Sequence, residues 1–193
     1  MTHPTPLKLS LPIEPYTITG YRFGDRLRRK VVLWATHLGD DIEAWAGTEV
    51  KAIGDGEVVW SEMRLGSQKK RNWGGLIVVA HSNKSPILKS AAASGILSDG
   101  SSKTQTFFSV YGHMRELRVA AGDQVVEGEA IGVVAEGYTA ENGWWKIPHL
   151  HFGIYVGPWR EVVLPGYKRV EEWRTKTKWW RDPRVFIEQY NKN

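Results

Sequence analysis

"PHLHFGIYV", residues 148–156, decides how the chain is read, because it sets two histidines either side of one leucine in a run otherwise apolar, β-branched or aromatic. A run this short and this apolar reads as a strand with a buried layer. Side chains along a strand alternate between faces, so His149 and His151 share one face while Leu150 points to the opposite layer. Two imidazoles on one face are either satisfied polar side chains or the wall of a cleft. The rest of the chain has to choose.

Working outward, runs of the same make recur between glycine turns: "KVVLWA" (30–35), "GEVVW" (56–60), "GLIVVAH" (75–81), "TFFSVYGH" (106–113) and "QVVEGEAIGVVA" (124–135). Their length and β-branched and aromatic content predict an all-β chain built on a mainly antiparallel sheet. Helical periodicity is confined to "DPRVFIEQYN" (182–191), where Asp182 can cap and Pro183 can occupy the first turn. "GTEVKAIGDGEVV" (47–59) and "GDQVVEGEAIGVV" (122–134) share a glycine, a valine three residues on, and a second β-branched strand, which suggests two related hairpin units. "SEMRLGSQKKRNWGG" (61–75) and residues 82–105 read as surface loops, the second long enough to be a lid or rim.

A chain of 193 residues that is 41% hydrophobic and 24% charged fits one soluble domain. Its core is expected over about 20–160, with 161–193 as an extension packed on it. No apolar run is long enough to span a bilayer, and the start lacks the pattern of a signal peptide, so a leader is expected to be absent or already removed. With no cysteine, any metal site must use His, Asp or Glu. The net charge of +5 suits a polyanionic partner, and the 10 tryptophans offer flat faces for stacking as well as core.

A second stretch supplies what a metal would need. "THLGDDIEAWAG" carries His37 and Asp41, with Gly39 between them, and a glycine-bent turn can bring both side chains around one ion. Imidazole and carboxylate with one open position suit catalytic zinc, so His37, Asp41 and one histidine of the 149/151 pair complete three protein ligands. His113 follows the apolar strand "FFSVYG" and is placed to turn into a cleft. No HExxH helix occurs, which leaves histidine as the available acid and base.

In this order, His-x-x-x-Asp, Tyr-x-His and His-x-His, the chain resembles the lysostaphin-type, LytM-like zinc metallopeptidases that act on peptidoglycan. The likeness runs from about "RFGDR" (22–26) through "HLGDDIEAWAGTEVKAIGDGEVV" (37–59), "GGLIVVAHS" (74–82), "YGHM" (111–114) and "AGDQVVEGEAIGVV" (121–134) to "PHLHF" (148–152). The resemblance implies a groove fold with a duplicated strand motif, and one Zn2+ per chain held by His37, Asp41 and His151. It gives His113 and His149 to the chemistry without dividing the duties between them. It further implies an endopeptidase that cuts peptide crosslinks or stem peptides of peptidoglycan, in a secreted or envelope location. Expected partners are peptidoglycan or its peptides and, through the positive charge, an anionic wall polymer; no nucleic acid and no membrane span are expected, and the chain is expected to be a monomer.

Three positions depart from the family pattern: Gly153 stands where glutamate is common, the loop before the pair contains Trp144 and Trp145, and no secure tyrosine supports the oxyanion, Tyr111 and Tyr138 being candidates. His81 reads as structural, His3 as part of a tail, and Asp41 rather than Asp40 as the ligand. Arg22 and Arg26 could meet a substrate carboxylate or pair at the surface. The tail "YKRVEEWRTKTKWWRD" (167–182) is expected to pack Trp173, Trp179 and Trp180 on the sheet edge. A non-catalytic relative that binds the wall or regulates an amidase would have gaps among the five site positions, and all five are filled. A biotinyl or lipoyl carrier needs a lysine where this chain has Glu127 and Gly128.

Overall fold

The structure is a computed structural model that describes residues 8–29, 32–82, 106–169 and 177–192. The stretch 83–105, His3 and Trp173 lie outside those residues. The described strands are β1 (Arg26–Arg29), β2 (Val32–His37), β3 (Asp40–Glu43), β4 (Glu49–Lys51), β5 (Gly56–Arg64), β6 (Gly74–Ser82), β7 (Thr106–Leu117), β8 (Gln124–Val125), β9 (Ala130–Val134), β10 (His149–Tyr155), β11 (Tyr167–Arg169) and β12 (Trp180–Arg181). Among the described residues one α-helix, α1 (Pro183–Tyr190), follows.

All strand pairs are antiparallel. The large sheet has nine strands along the path β12-β10-β7-β6-β5-β8, with β3 on β10 and β9 joining β4 to β7. A small sheet of order β1-β2-β11 accompanies it. The repeated segments do not form separate hairpins. Their strands pair across the repeat instead, β4 with β9 and β5 with β8, so each segment completes the other. The 61–75 stretch is also less of a loop than expected: Ser61–Arg64 continue β5 against β6, and Trp73 is buried.

Both faces of the sheet are covered, which is why β6 reads as an unbroken apolar run rather than an alternating one. On one face Leu150, Phe152 and Ile154 pack with Ile77, Val79 and Tyr111; on the other, Leu76, Val78 and Ala80 pack with Phe108, Trp73, Leu164 and Trp180. Each fully buried side chain of this size contributes about 1.5–3 kcal/mol. Leu150 therefore lies in the first layer, and His149 and His151 point away from it, as strand alternation requires.

The C-terminal segment is tied to the sheet. β12 pairs with β10, Ile187 of α1 enters the first layer, and the Asp182 side chain accepts from Val185 N at 3.0 Å as the helix cap. Asn191 closes the chain on itself, accepting from Leu9 N at 3.0 Å and donating to Leu9 O at 2.7 Å.

Candidate active site

His37 ends β2, Asp41 lies in β3, and β3 runs antiparallel to β10 with Asp41 directly opposite His151. That register brings a carboxylate and an imidazole from positions 110 residues apart into contact. Gly39 makes the approach possible, since a Cβ there would lie 2.4 Å from Phe152 O and 2.7 Å from His151 Nε2.

Three ring nitrogens converge on one oxygen. Asp41 Oδ1 lies 3.2 Å from His37 Nε2, 3.1 Å from His151 Nδ1 and 3.8 Å from His149 Nε2. Tyr21 N donates to the other oxygen of Asp41 at 3.3 Å. Asp40 is turned elsewhere, its carboxylate accepting from Tyr16 OH and from Phe23 N, both at 2.8 Å. It has no part in the cluster.

Tautomers can be assigned from the carbonyls that face the rings. His37 Nδ1 is 3.3 Å from Arg22 O and His149 Nδ1 is 2.7 Å from Ile147 O; a carbonyl only accepts, so these nitrogens carry the proton. Neutral His37 then turns a lone pair on Nε2 toward a carboxylate lone pair at 3.2 Å. A proton on Nε2, which the raised pKa of His37 favours, or a shared metal cation removes that conflict. Donors of a tetrahedral zinc site with bonds of about 2.0–2.1 Å sit about 3.3 Å apart, close to the spacings seen here. The donor atoms of His37, Asp41 and His151 all lie within 4.8 Å of one another, and all three residues are buried. The residues fit a divalent ion of the zinc type.

Titration follows the same geometry. Burial alone would push the Asp41 carboxyl up, but the hydrogen bonds and charges of His151 and His37 outweigh it and hold it well below the usual carboxylate range. Burial likewise opposes charge on His37, yet the Asp41 carboxylate raises it above the ordinary histidine value. Burial dominates at His151, lowering it to about 4, and it drives His113 well below the ordinary value with help from the neighbouring His149 and His151.

His113 sits on β7 at a left-handed φ of 69°, its N donating to Trp73 O at 2.9 Å. That uncommon conformation turns the ring out of the ladder, to 4.6 Å from the His149 ring centroid. Its buried Nδ1 has no hydrogen-bond partner among the described residues. Trp73 walls the cluster, 4.9 Å from the His151 ring and 6.0 Å from that of His113. All five expected residues thus meet at one place.

The other candidates separate. Tyr111 is fully buried in the opposite layer, its hydroxyl accepting from Ile53 N at 3.1 Å, and Tyr138 is exposed. Tyr21, which the sequence reading missed, flanks His37 with ring centroids 5.7 Å apart. Trp73 was also missed; its signal was an aromatic directly before two glycines at the start of β6. His81 is fully buried, with Nδ1 facing Asp55 O and Nε2 facing Ser109 Oγ, so both ring nitrogens are satisfied. Gly153 has a packing reason: a Cβ there would lie 3.0 Å from Trp180 Cζ3 and 3.1 Å from Leu38 O.

Known proteins resemble the chain in family and in fold. The model of peptidase family M23 matches residues 35–162, more than half of the chain, and the chain belongs to that family. Its fold is of the lysostaphin type. It is similar to lysostaphin from Staphylococcus simulans, with 22% identity over 92% of this chain and 52% of that one and a TM-score of 0.53. LytU is similar at 20% identity over 94% and 91% of the two chains, with a TM-score of 0.54. A zinc-containing peptidase from Vibrio cholerae is similar at 21% identity over 83% and 41%, with a TM-score of 0.54. These identities make the likeness one of fold, and the chain spans about half the length of full lysostaphin. No curated protein matches. Among the described residues no helix is long and apolar enough to cross a membrane.

Proposed function

We propose that the chain is a zinc-dependent endopeptidase that hydrolyses peptide crosslinks or stem peptides of bacterial peptidoglycan. The observation that carries this reading is the convergence of His37 Nε2, His151 Nδ1 and Asp41 Oδ1 within a member of peptidase family M23. These atoms would hold one zinc ion. Bound there, the ion supplies Lewis acidity, which polarises a peptide carbonyl and makes water a better nucleophile.

His149 is suited to proton transfer, because donation from Nδ1 to Ile147 O leaves the Nε2 lone pair facing Asp41 at 3.8 Å. Nε2 takes the proton from the attacking water and returns it to the leaving amine. His113, kept neutral by burial, offers one N–H to the carbonyl oxygen as negative charge grows on it. Trp73 keeps bulk water from one side of the cluster.

Substrate and charge give the setting. Peptidoglycan lies outside the cytoplasm, so the enzyme is assigned to a secreted or envelope location, and its net charge of +5 favours anionic wall polymers. We further propose that it acts as a monomer, as one domain with 161–193 packed on a core of about 20–160.

The test is incubation of zinc-loaded protein with purified peptidoglycan, with released fragments identified by mass spectrometry. New peptide amino termini are expected, and none after chelation. Zinc-loaded protein that binds walls yet releases nothing from several wall types would favour the non-catalytic, amidase-regulating role.

A further inference from the structure

We propose that Arg71 and Trp145 form a subsite for a substrate carboxylate beside His113; this rests on the endopeptidase reading above. Two loops build it. The loop after β5 and the start of β6 are joined to the loop before β10 by backbone hydrogen bonds, Gly66 N to Ala140 O at 2.8 Å, Asn72 N to Gly143 O at 3.3 Å and Gly75 N to Glu141 O at 3.3 Å. They form one rim.

Asn142 locks the rim to the site. It is fully buried and donates through Nδ2 to Trp145 O at 3.0 Å and to Ile147 O at 3.2 Å. Ile147 O is the carbonyl that also accepts from His149 Nδ1, so the position of Trp145 and the orientation of His149 share an anchor. The Trp145 ring lies 6.1 Å from that of His113, and the Arg71 guanidinium sits over Trp145 at 4.5 Å from its centroid. Arg71 is therefore within about 11 Å of the His113 ring, the reach of about three extended residues.

The chemistry of Arg71 points to an anion. Arg64, Arg115, Arg118 and Arg184 each hold a carboxylate at 2.6–3.2 Å; Arg71, like Arg22, Arg26 and Arg160, holds none among the described residues, and unlike them it lies over an indole. Stacking on an indole restricts a guanidinium without using its N–H donors, and those donors match a carboxylate in a bidentate way. The Ser67–Lys70 turn presents exposed Lys69 and Lys70 alongside, so the rim is positive. Trp145 fixes where the charge sits, and Arg71 selects a peptide whose free carboxylate lies two or three residues from the scissile bond.

The test uses two synthetic peptides that differ only in that group, carboxylate against carboxamide, with wild type, Arg71→Gln and Arg71→Lys. Wild type should prefer the carboxylate by about 2- to 5-fold in kcat/KM, the scale of an exposed ion pair. Arg71→Gln should lose the preference while cleaving the carboxamide at the wild-type rate, and Arg71→Lys should restore part of it. Equal loss on both peptides, or a preference that survives Arg71→Gln, would overturn the subsite. Calorimetric binding of the same pair to the His149→Gln protein reads the subsite without turnover. If wild type cuts neither peptide but the binding preference follows Arg71, the endopeptidase reading fails and the subsite stands.

Discussion

His81 should make the protein lose stability as acid is added, by an amount its surroundings allow to be worked out. It lies fully buried on β6, stacked on Phe107 at 4.9 Å, with Nδ1 donating to Asp55 O at 2.9 Å and Nε2 accepting from Ser109 Oγ at 2.7 Å. Both nitrogens are satisfied in the neutral ring, and a proton on Nε2 would have to displace the Ser109 donor. Burial lowers its pKa from the ordinary 6.5 to about 4, against a smaller opposing pull from Asp55. Between those values the unfolded chain binds one proton that the folded chain refuses. Stability contributed by the neutral ring is thus complete above about pH 6.5 and is lost as pH falls toward 4, at about 1.4 kcal/mol per unit and about 3 kcal/mol in all. His81→Gln removes the titration. Urea unfolding of both metal-free proteins at pH 7, 6, 5 and 4.5 should show wild type losing about 2–3 kcal/mol more than the variant over that range. Other titrating groups are common to both and cancel. Parallel pH curves would refute the reasoning.

Two further outcomes follow from packing and tautomers. Gly153→Glu should destabilise the fold by about 2 kcal/mol or more in urea unfolding, because the new side chain meets Trp180 and the Leu38 carbonyl; in a Trp180→Ala background, itself less stable, the same substitution should cost less. His149→Gln should bind zinc as wild type does yet cleave at least 100-fold more slowly in a peptide assay, since Nε2 is the proton acceptor. Loss of zinc from this variant would make His149 a ligand instead.

The strands that could be read from sequence are those whose apolar runs are local, such as β6 and β10. β3 could not, because Asp40, Asp41 and Glu43 are poor strand formers and the element exists through its register with β10. The five candidate residues could be picked out because their residue types and order are restricted, whereas the distances that join His37 to His151 belong to that unread pairing. Gly153 departs from the family pattern for a reason 27 positions away in sequence, since Trp180 occupies the space a side chain would need. The Arg71–Trp145 contact spans two loops with no common pattern, and nothing local announces it.

Zinc content tests the central claim most directly. Metal analysis by mass spectrometry of protein dialysed against trace zinc should give one ion per chain for wild type and His113→Ala, and none for His37→Ala, Asp41→Ala or His151→Ala, each with its sheet intact by circular dichroism. Full zinc occupancy in a folded Asp41→Ala or His151→Ala protein, or none in folded wild type, would contradict it.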